Sequence, residues 1–547
     1  MCTEPYQSNL ENLPDCAAEF IKTVIKKMRY SRKVRQEVQA ELASDFEAEL
    51  KDCTDEKEKE QKARQLIKEF GDTKLLALLL RRAKKRCRPL WKKTLVRSLQ
   101  TLVILAAYLV FIGIYLSVGS PKITTNYVNW LNKQVRAGRD PNLNAKPQFE
   151  MAVNLMKKLP EPLEQSFSKW PGKMSDKEKD AVVNVLNENA EALDALKKGA
   201  QKPYYWENYE SRSEPVKKDF GGILQITQQL LSEELLQSLN KYRRLTYVMS
   251  LRIGRRAYNG DIGQALNDCI VLQKCGCHLQ GKGLLIEQMV GIAIEAAAHD
   301  RVFMVLQKTE PTAKLLENLQ HELENIYTMR KEIINLNAEK AFWYDYIQHA
   351  FTDDGKGNGR MLKEGLPLAS GDWKDALIGF VFFSFPDRKE VTERIDRFYN
   401  ELEKSFIKTP LQLHKEGFKT EKLREAAQDC LMLKIMAPAY PRLTELAWRT
   451  KTGRIALLTS IAVLRYEKEN GRCPDVLSEL VETGYLSELH IDPYSGKPFV
   501  YQKTETDFKL YSVGTDLKDD GGKIVRDDKG NCRQWPDEGD FIFWPTY

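Results

Sequence analysis

The chain has 547 residues, 42% of them hydrophobic and 29% charged, a length that suggests about three or four folded units and needs no disulfide staples. Gly (31) and Pro (22) are near or below average usage, which excludes a collagen-like or mostly disordered chain; the negative mean hydropathy excludes a polytopic transporter. The net charge of +7 is concentrated at one end: residues 1–97 hold 23 Lys/Arg and 16 Asp/Glu, whereas the remaining 450 hold 61 of each.

The first segment, residues 1–80, reads as a helical domain. Phe20, Ile21, Val24, Ile25 and Met28 form one apolar stripe, and Val34, Val38, Leu42, Phe46 and Leu50 form a second at steps of four. Asp55 and Glu58 fit a capping box for a third helix, which Gly71 can close in the left-handed conformation. Asp72 then caps a short helix over Leu75 to Leu80. The run MRYSRKVRQEVQAELASDFEAEL, followed by ARQLIKEFGDTKLLALLL, resembles the HAAS module, a small bacterial helical bundle found before membrane helices. The resemblance rests chiefly on Phe70-Gly71-Asp72 after an amphipathic helix. It implies a sensing or relaying head and brings no catalytic residues.

Residues 81–98 form a basic juxtamembrane segment with nine Lys/Arg between Arg81 and Arg97 and no acid. From 98 to 120 no residue is charged, and residues 99–118 (LQTLVILAAYLVFIGIYLSV) are long enough for a transmembrane helix. Gly119-Ser120-Pro121 ends it. Some 98 residues precede the apolar run, so it is not a cleaved signal peptide. The basic flank places the N-terminus in the cytoplasm and the C-terminal region outside a bacterial cytoplasmic (inner) membrane, as a single-pass signal anchor. Membrane lipid is the partner expected for residues 99–118 and for the basic run 81–97; nucleic acid is not expected.

Residues 119–450 read as an extracytoplasmic α-helical region. Asn126 to Leu159 and Ser175 to Lys198 are expected as amphipathic helices, and Lys202-Pro203-Tyr204-Tyr205-Trp206 as a packed aromatic loop. Ala257-Tyr258-Asn259-Gly260-Asp261, leading to Ala265-Leu266, looks like the turn of a tetratricopeptide-type helix pair. It occurs once and no clean 34-residue period follows it, so the expectation is an irregular array, of the kind that offers partner-binding surfaces. Ala376 to Phe385 (ALIGFVFFSF) is too short to span and reads as a buried helix.

Phosphate-loop, H-E-x-x-H and G-x-S-x-G motifs are absent from the sequence. Asp345, His349 and Asp353 fall at i, i+4 and i+8, where one helical face could carry all three as metal ligands. The bland alternative is an exposed face running into the Gly-rich turn that follows. Cys275-Gly276-Cys277-His278 lacks the spacing of a haem or zinc site and reads as small core residues. Cys2, Cys16, Cys53 and Cys87 lie in the cytoplasmic part and are expected to stay reduced; Cys473 and Cys532 share the last segment and are the candidate disulfide.

Residues 451–547 change character. Arg454 to Asn470 is an amphipathic helix closed by Gly471, a short helix follows over Pro474 to Glu482, and Asp492 to Pro498 is turn-rich. Phe499 to Gln502 and Phe508 to Val513 read as a hairpin, with Phe541 to Trp544 as a third strand. The helix ending Tyr466…Asn470-Gly471, Pro474 with Leu477 and Leu480, Asp492-Pro493…Gly496-Lys497-Pro498, and Leu510-Tyr511-Ser512-Val513-Gly514 together resemble the globular part of the type II secretion major pseudopilin. That resemblance implies Ca2+ on the acidic loop, with Asp516, Asp519 and Asp520 as ligands and Asp527 or Asp528 closing the shell; the bland alternative is a solvated acidic turn. The membrane helix lies some 335 residues upstream of this segment rather than joined to it, so the module reads as borrowed, not as a polymerising pilin subunit.

The expectation is therefore a mainly α protein: a helical bundle, one transmembrane helix, a large helical region and a small α+β module. Its expected role is a non-enzymatic interaction or scaffold protein of the bacterial envelope with protein partners. A membrane-anchored metal-dependent hydrolase and an accessory component of a secretion or pilus-like machine are the alternatives.

Overall fold

The computed structural model describes residues 10–86, 90–157, 159–160, 163, 169–209, 233–362, 387–418, 423, 425, 427, 433, 440–526, 534–536 and 538–545. The chain is mainly helical, with a small three-stranded sheet. It divides into two compact units, Met1–Val110 and Phe111–Tyr547.

In the first unit α1 (Asp15–Lys27), α2 (Arg32–Leu50), α3 (Glu56–Phe70) and α4 (Thr73–Arg86) enclose one core. The two apolar stripes supply it: Phe20, Ile21 and Val24 from α1 meet Val38, Leu42 and Phe46 from α2. Phe70 joins Phe20 and Phe46 in a cluster of rings 5.5–6.2 Å apart. Three local expectations are corrected. Asp55 stands at the start of α3 but its side chain makes no cap bond, so the capping box does not form. Gly71 closes α3 at φ +73° and ψ −145°, a region open essentially to Gly but outside the left-handed helical well. Asp72 does cap α4 through the Lys74 and Leu75 amides, but the helix runs on to Arg86 because the basic residues after Leu80 are good helix formers.

Helix α5 (Leu90–Ser117) contains the apolar run. Its stretch Thr94–Tyr115 is long and apolar enough to cross a membrane and is only 6% buried, unlike the core helix of a soluble domain. Leu99, Leu102, Val103, Ile104, Val110, Phe111 and Ile114 are all exposed.

In the second unit the expected helix over 126–159 is two: α6 (Tyr127–Arg136) ends in a turn at Ala137-Gly138, both at positive φ, and α7 (Lys146–Leu155) follows. Ser175 and Glu178 form a full capping box on α8 (Asp176–Glu188), and α9 (Ala190–Ala200) starts after a break at Asn189. The aromatic loop is a packed cover, with Tyr205, Trp206 and Tyr209 buried. Helices α10 (Glu233–Tyr258) and α11 (Ile262–His278) are joined by the expected Asn259-Gly260-Asp261 turn. Gly260 sits at φ +87°, and Asp261 caps Gln264. Then come α12 (Leu285–Lys308), α13 (Ala313–Met329), α14 (Asn337–Ala350), α15 (Arg388–Ile407) and the short α16 (Pro410–Lys415). Residues 376–385 lie outside the described residues.

Helices α11 and α12 cross backbone to backbone. A Cβ on Gly276 would stand 2.7 Å from the Glu295 nitrogen and 2.9 Å from the Gly291 oxygen, so the glycine in Cys275-Gly276-Cys277 is what allows the approach. The two cysteines are buried core residues, as expected.

The C-terminal segment is not detached. Helix α17 (Tyr440–Asn470) runs unbroken through the expected boundary at 450/451 and packs on α12, α13 and α15 as well as on the sheet. After α18 (Glu479–Glu482) the antiparallel sheet β1 (Val500–Lys503), β2 (Phe508–Ser512) and β3 (Phe541–Trp544) pairs Tyr501 with Leu510 and Ser512 with Phe541, with a register shift at Leu510/Tyr511. Asp492 pins the preceding turn to the sheet by accepting from the Tyr494 amide (3.0 Å) and the Ser512 hydroxyl (2.8 Å).

Candidate functional site

The expected one-face metal set does not assemble. Helix α14 ends at Ala350 and Phe351 is extended, so Asp353 leaves the helical face. It pairs with Arg388 at 2.6 Å and accepts from the Gly355 amide. Asp345 and His349 remain one turn apart, Nδ1 to Oδ1 3.8 Å, and Asp345 is engaged by Gln348 at 2.9 Å.

The acidic loop brings Asp516, Asp519 and Asp520 beside Asp540, and the carboxylates of Asp516, Asp519 and Asp540 meet backbone or hydroxyl donors. Asp519 accepts from the Tyr511 hydroxyl (2.9 Å) and the Gly521 amide (2.9 Å). Asp516 accepts from Lys518 and Gly539 amides, and Asp540 from Asp520 and Gly522 amides. Burial raises the Asp540 carboxyl above the usual carboxylate range. Asp527, Asp528 and Cys532 lie outside the described residues, which leaves the shell-closing ligand and the disulfide with Cys473 there too. Among the described residues no group of three or more His, Cys, Asp or Glu is placed to hold a metal ion.

Sequence reading missed a buried ionic network at the α11–α12–α17 junction. Arg454 donates to Glu295 through two nitrogens, at 2.6 and 2.8 Å. Gln280 bonds both partners, at 2.7 Å to Glu295 and 3.0 Å from Arg454, and Arg454 also donates to the Arg330 carbonyl at 2.6 Å. Burial alone would raise the Glu295 carboxyl, but the Arg454 charge overrides it and brings it down to about 2. Burial lowers the neighbouring His299 to about 4, so it is neutral at pH 7, and its Nε2 meets the Tyr327 hydroxyl at 3.0 Å. The network joins residues 159 apart in sequence, a separation that leaves no local pattern. Its groups are engaged with one another, which suits a structural clamp rather than a reactive centre.

A second feature is open. A cavity of about 280 Å³ lies between the end of α15, α16, α17 and the Asp492–Leu517 segment; Leu413, Phe418, Leu423, Trp448 and Leu517 give its apolar wall. Thr409 and Gln412 form a capping box on α16, and the Leu411 amide reaches the Pro493 carbonyl at 3.3 Å, which seats the helix over the turn. Most polar groups around the cavity are already used. Ser405 and Thr444 share a hydroxyl bond at 2.8 Å, and the Trp448 indole N–H donates to the Ser405 carbonyl at 2.9 Å. Glu445 is held by Arg442 and Arg449. The exceptions are His414, which is exposed, and Tyr494. Tyr494 is 2% exposed, its ring packs edge-on against Phe541 at 5.2 Å, and its hydroxyl is fully enclosed with no hydrogen-bond partner among the described residues. Leaving such a donor buried and unpaired costs about 1–3 kcal/mol.

No family model, curated protein or solved structure matches the chain.

Proposed function

We propose that the chain is a non-enzymatic, membrane-anchored binding protein. The observation that carries this reading is the exposed apolar stretch Thr94–Tyr115, preceded by eight basic residues between Arg81 and Lys93 and followed by a large helical unit whose buried Arg454 and Glu295 are spent on one another. The basic flank puts residues 1–80 on the cytoplasmic side and the helical region outside. The HAAS-like head relays to a cytoplasmic partner, and the outer region binds protein or envelope material.

Calcium on the acidic loop belongs to the same proposal, as a staple of the tail. It requires Asp516 and Asp519 to give up amide bonds and Asp527 to complete the shell. Metal analysis of the purified chain tests it: stoichiometric calcium that disappears in Asp516→Ala/Asp519→Ala supports the staple, and calcium at background level removes it.

The anchor is tested in cells. The chain is expected to stay in the membrane pellet after alkaline carbonate extraction. Trypsin added to spheroplasts is expected to digest the region after residue 118 while sparing residues 1–80. Release by carbonate, or protection of the C-terminal region, refutes the reading.

A further inference from the structure

The C-terminal end of α5 is held by the hairpin that follows α14. Phe351 and Met361 form an antiparallel bridge; within it the Thr352 amide donates to the Arg360 carbonyl, and the Arg360 amide donates to the Thr352 hydroxyl. From this hairpin Arg360 reaches the anchor. Its guanidinium lies 4.1 Å from the centre of the Tyr115 ring, and its Nη2 donates at 2.7 Å to the Val118 carbonyl, just past the end of the helix. Gly119 permits the approach: it sits at φ +100°, and a Cβ there would stand 2.8 Å from Thr352 Cγ2 and 3.9 Å from Arg360 Nη2. Gln348 fastens the segment that leaves the anchor, accepting from the Thr124 and Thr125 amides at 3.2 Å and donating to the Thr125 carbonyl at 2.6 Å.

These contacts set the depth of the hairpin. Tyr115 is the last residue of the stretch apolar enough to cross a membrane, so a guanidinium stacked on its ring stands where hydrocarbon gives way to headgroups. The helix belongs to the second unit from Phe111 onward. There Ile112 is 1% exposed, whereas Phe111 and Ile114 are 55% and 59% exposed: one side of the last turns is covered and the rest is open to lipid. The surface at that depth is positive. Arg360 spends only Nη2, and its Nε and Nη1 have no hydrogen-bond partner among the described residues. Lys122 and Lys356 are exposed and have no ion-pair partner among the described residues; the Lys122 ammonium stands 3.8 Å from where a Cβ on Gly355 would be. The two carboxylates are engaged. Asp353 pairs with Arg388 at 2.6 Å, and Asp354 accepts from the Lys356 and Asn358 amides at 2.8 and 3.1 Å.

We propose that this hairpin is a headgroup site that takes the phosphate of an anionic phospholipid at the Tyr115 end of the anchor. Arg360 supplies charge-assisted N–H donors to the phosphate oxygens, Tyr115 carries the face of its guanidinium, and Lys122 and Lys356 add attraction for negative charge. A zwitterionic headgroup brings its own cation to the same three, so the anionic one is favoured. The inference rests on the membrane-anchored reading and adds a lipid class to it.

The test titrates the full chain in detergent with dioctanoyl-phosphatidylglycerol and, separately, with dioctanoyl-phosphatidylcholine, and native mass spectrometry gives the apparent Kd of each bound lipid. The basic run before the anchor attracts the same anionic lipid, so all variants are made in a chain whose eight basic residues between Arg81 and Lys93 are changed to Gln. That parent chain is expected still to bind phosphatidylglycerol more tightly than phosphatidylcholine. Lys122→Gln removes an exposed side chain and is expected to weaken phosphatidylglycerol binding about fivefold, with phosphatidylcholine binding and the urea midpoint unchanged. Arg360→Gln is expected to weaken it about tenfold or more, and Arg360→Lys, which keeps the charge, to fall between. The proposal is overturned if the parent chain binds the two lipids alike, or if Lys122→Gln and Arg360→Gln bind phosphatidylglycerol as the parent does. An Arg360→Gln chain that loses both lipids equally also overturns it, because the arginine then only holds the fold. Carbonate extraction of wild type separates the two readings: a released chain refutes the anchor and this site with it, and a pelleted chain without the lipid preference refutes the site alone.

Discussion

Removing Arg454 tests the buried clamp most directly. Arg454→Met keeps the length and the apolar stem of the side chain and deletes the charge. Glu295 is then left fully buried with Gln280 as its remaining donor among the bonds described above, and the Arg330 carbonyl loses its partner. Two estimates agree on the magnitude. Holding the Glu295 carboxyl at about 2 rather than 4.5 corresponds to roughly 3 kcal/mol at neutral pH, and deleting one member of a buried pair costs about 3–5 kcal/mol. The sign follows from the lowered carboxyl: this stability is present above pH 4.5 and is lost as pH falls toward 2. The assay is urea unfolding of the detergent-solubilised chain followed by tryptophan fluorescence, which reports the second unit because eight of the nine tryptophans lie beyond residue 110. Pairing Arg454→Met with Glu295→Gln removes both charges and keeps the Gln280 contact, so the double variant is expected to recover to within about 1–2 kcal/mol of wild type. A single variant that loses less than about 1 kcal/mol, or a double variant no better than the sum of the singles, refutes the clamp.

Two glycines on α11 should part company. Gly276→Ala puts a methyl into the α12 backbone and is expected to cost about 2–3 kcal/mol despite the better helix propensity. Gly263→Ala meets only Leu315 Cδ2 at 3.5 Å and is expected to be neutral or stabilising by up to about 1 kcal/mol; equal urea midpoints for the two variants would contradict the crossing. Burial pushes Glu287 and Glu339 up to about 7. Each therefore holds its proton in the folded state where the unfolded chain has lost it, so stability falls as pH rises from 4.5 to 7. Glu287→Gln and Glu339→Gln are each expected to flatten that fall by roughly 3 kcal/mol, read from urea midpoints at pH 5 and 8. Cys269, Cys275 and Cys277 are buried, with thiols pushed far up. They are expected to resist a thiol reagent in native buffer and react in urea; rapid native modification of any of the three would show an open α11.

What was legible in the sequence was what is periodic or local. The stripes of α1 and α2, the Asp72 cap, the Asn259-Gly260-Asp261 turn and all three strands follow from spacing within a dozen residues. The failures are of two kinds. The one-face set failed because i, i+4, i+8 spacing says nothing about where a helix stops, and α14 stops at Ala350, three residues before Asp353. The clamp and the Tyr494 cavity were invisible because their parts come from distant segments: Glu295 and Arg454 for the one, Ser405, Trp448, Tyr494 and Leu517 for the other.

The boundary expected at 450/451 falls inside one continuous helix. Arg449-Thr450-Lys451-Thr452-Gly453-Arg454 is a polar run at that boundary, and it lies mid-way along α17. Every polar side chain in it has found a partner. Thr450 and Thr452 return their hydroxyls to the Leu446 and Trp448 carbonyls at 2.8 Å. Lys451 reaches across to the Phe406 carbonyl at 2.8 Å, and Arg449 pairs with Glu445. Gly453 leaves room for His299, whose Nδ1 would stand 3.0 Å from a Cβ there, and Arg454 takes Glu295. A polar run inside a helix is stable when its side chains are satisfied: three of these are satisfied within α17, and Lys451 and Arg454 find their partners on α15 and α12. The stretch that looks like a linker is thus the one that fastens the tail to the array.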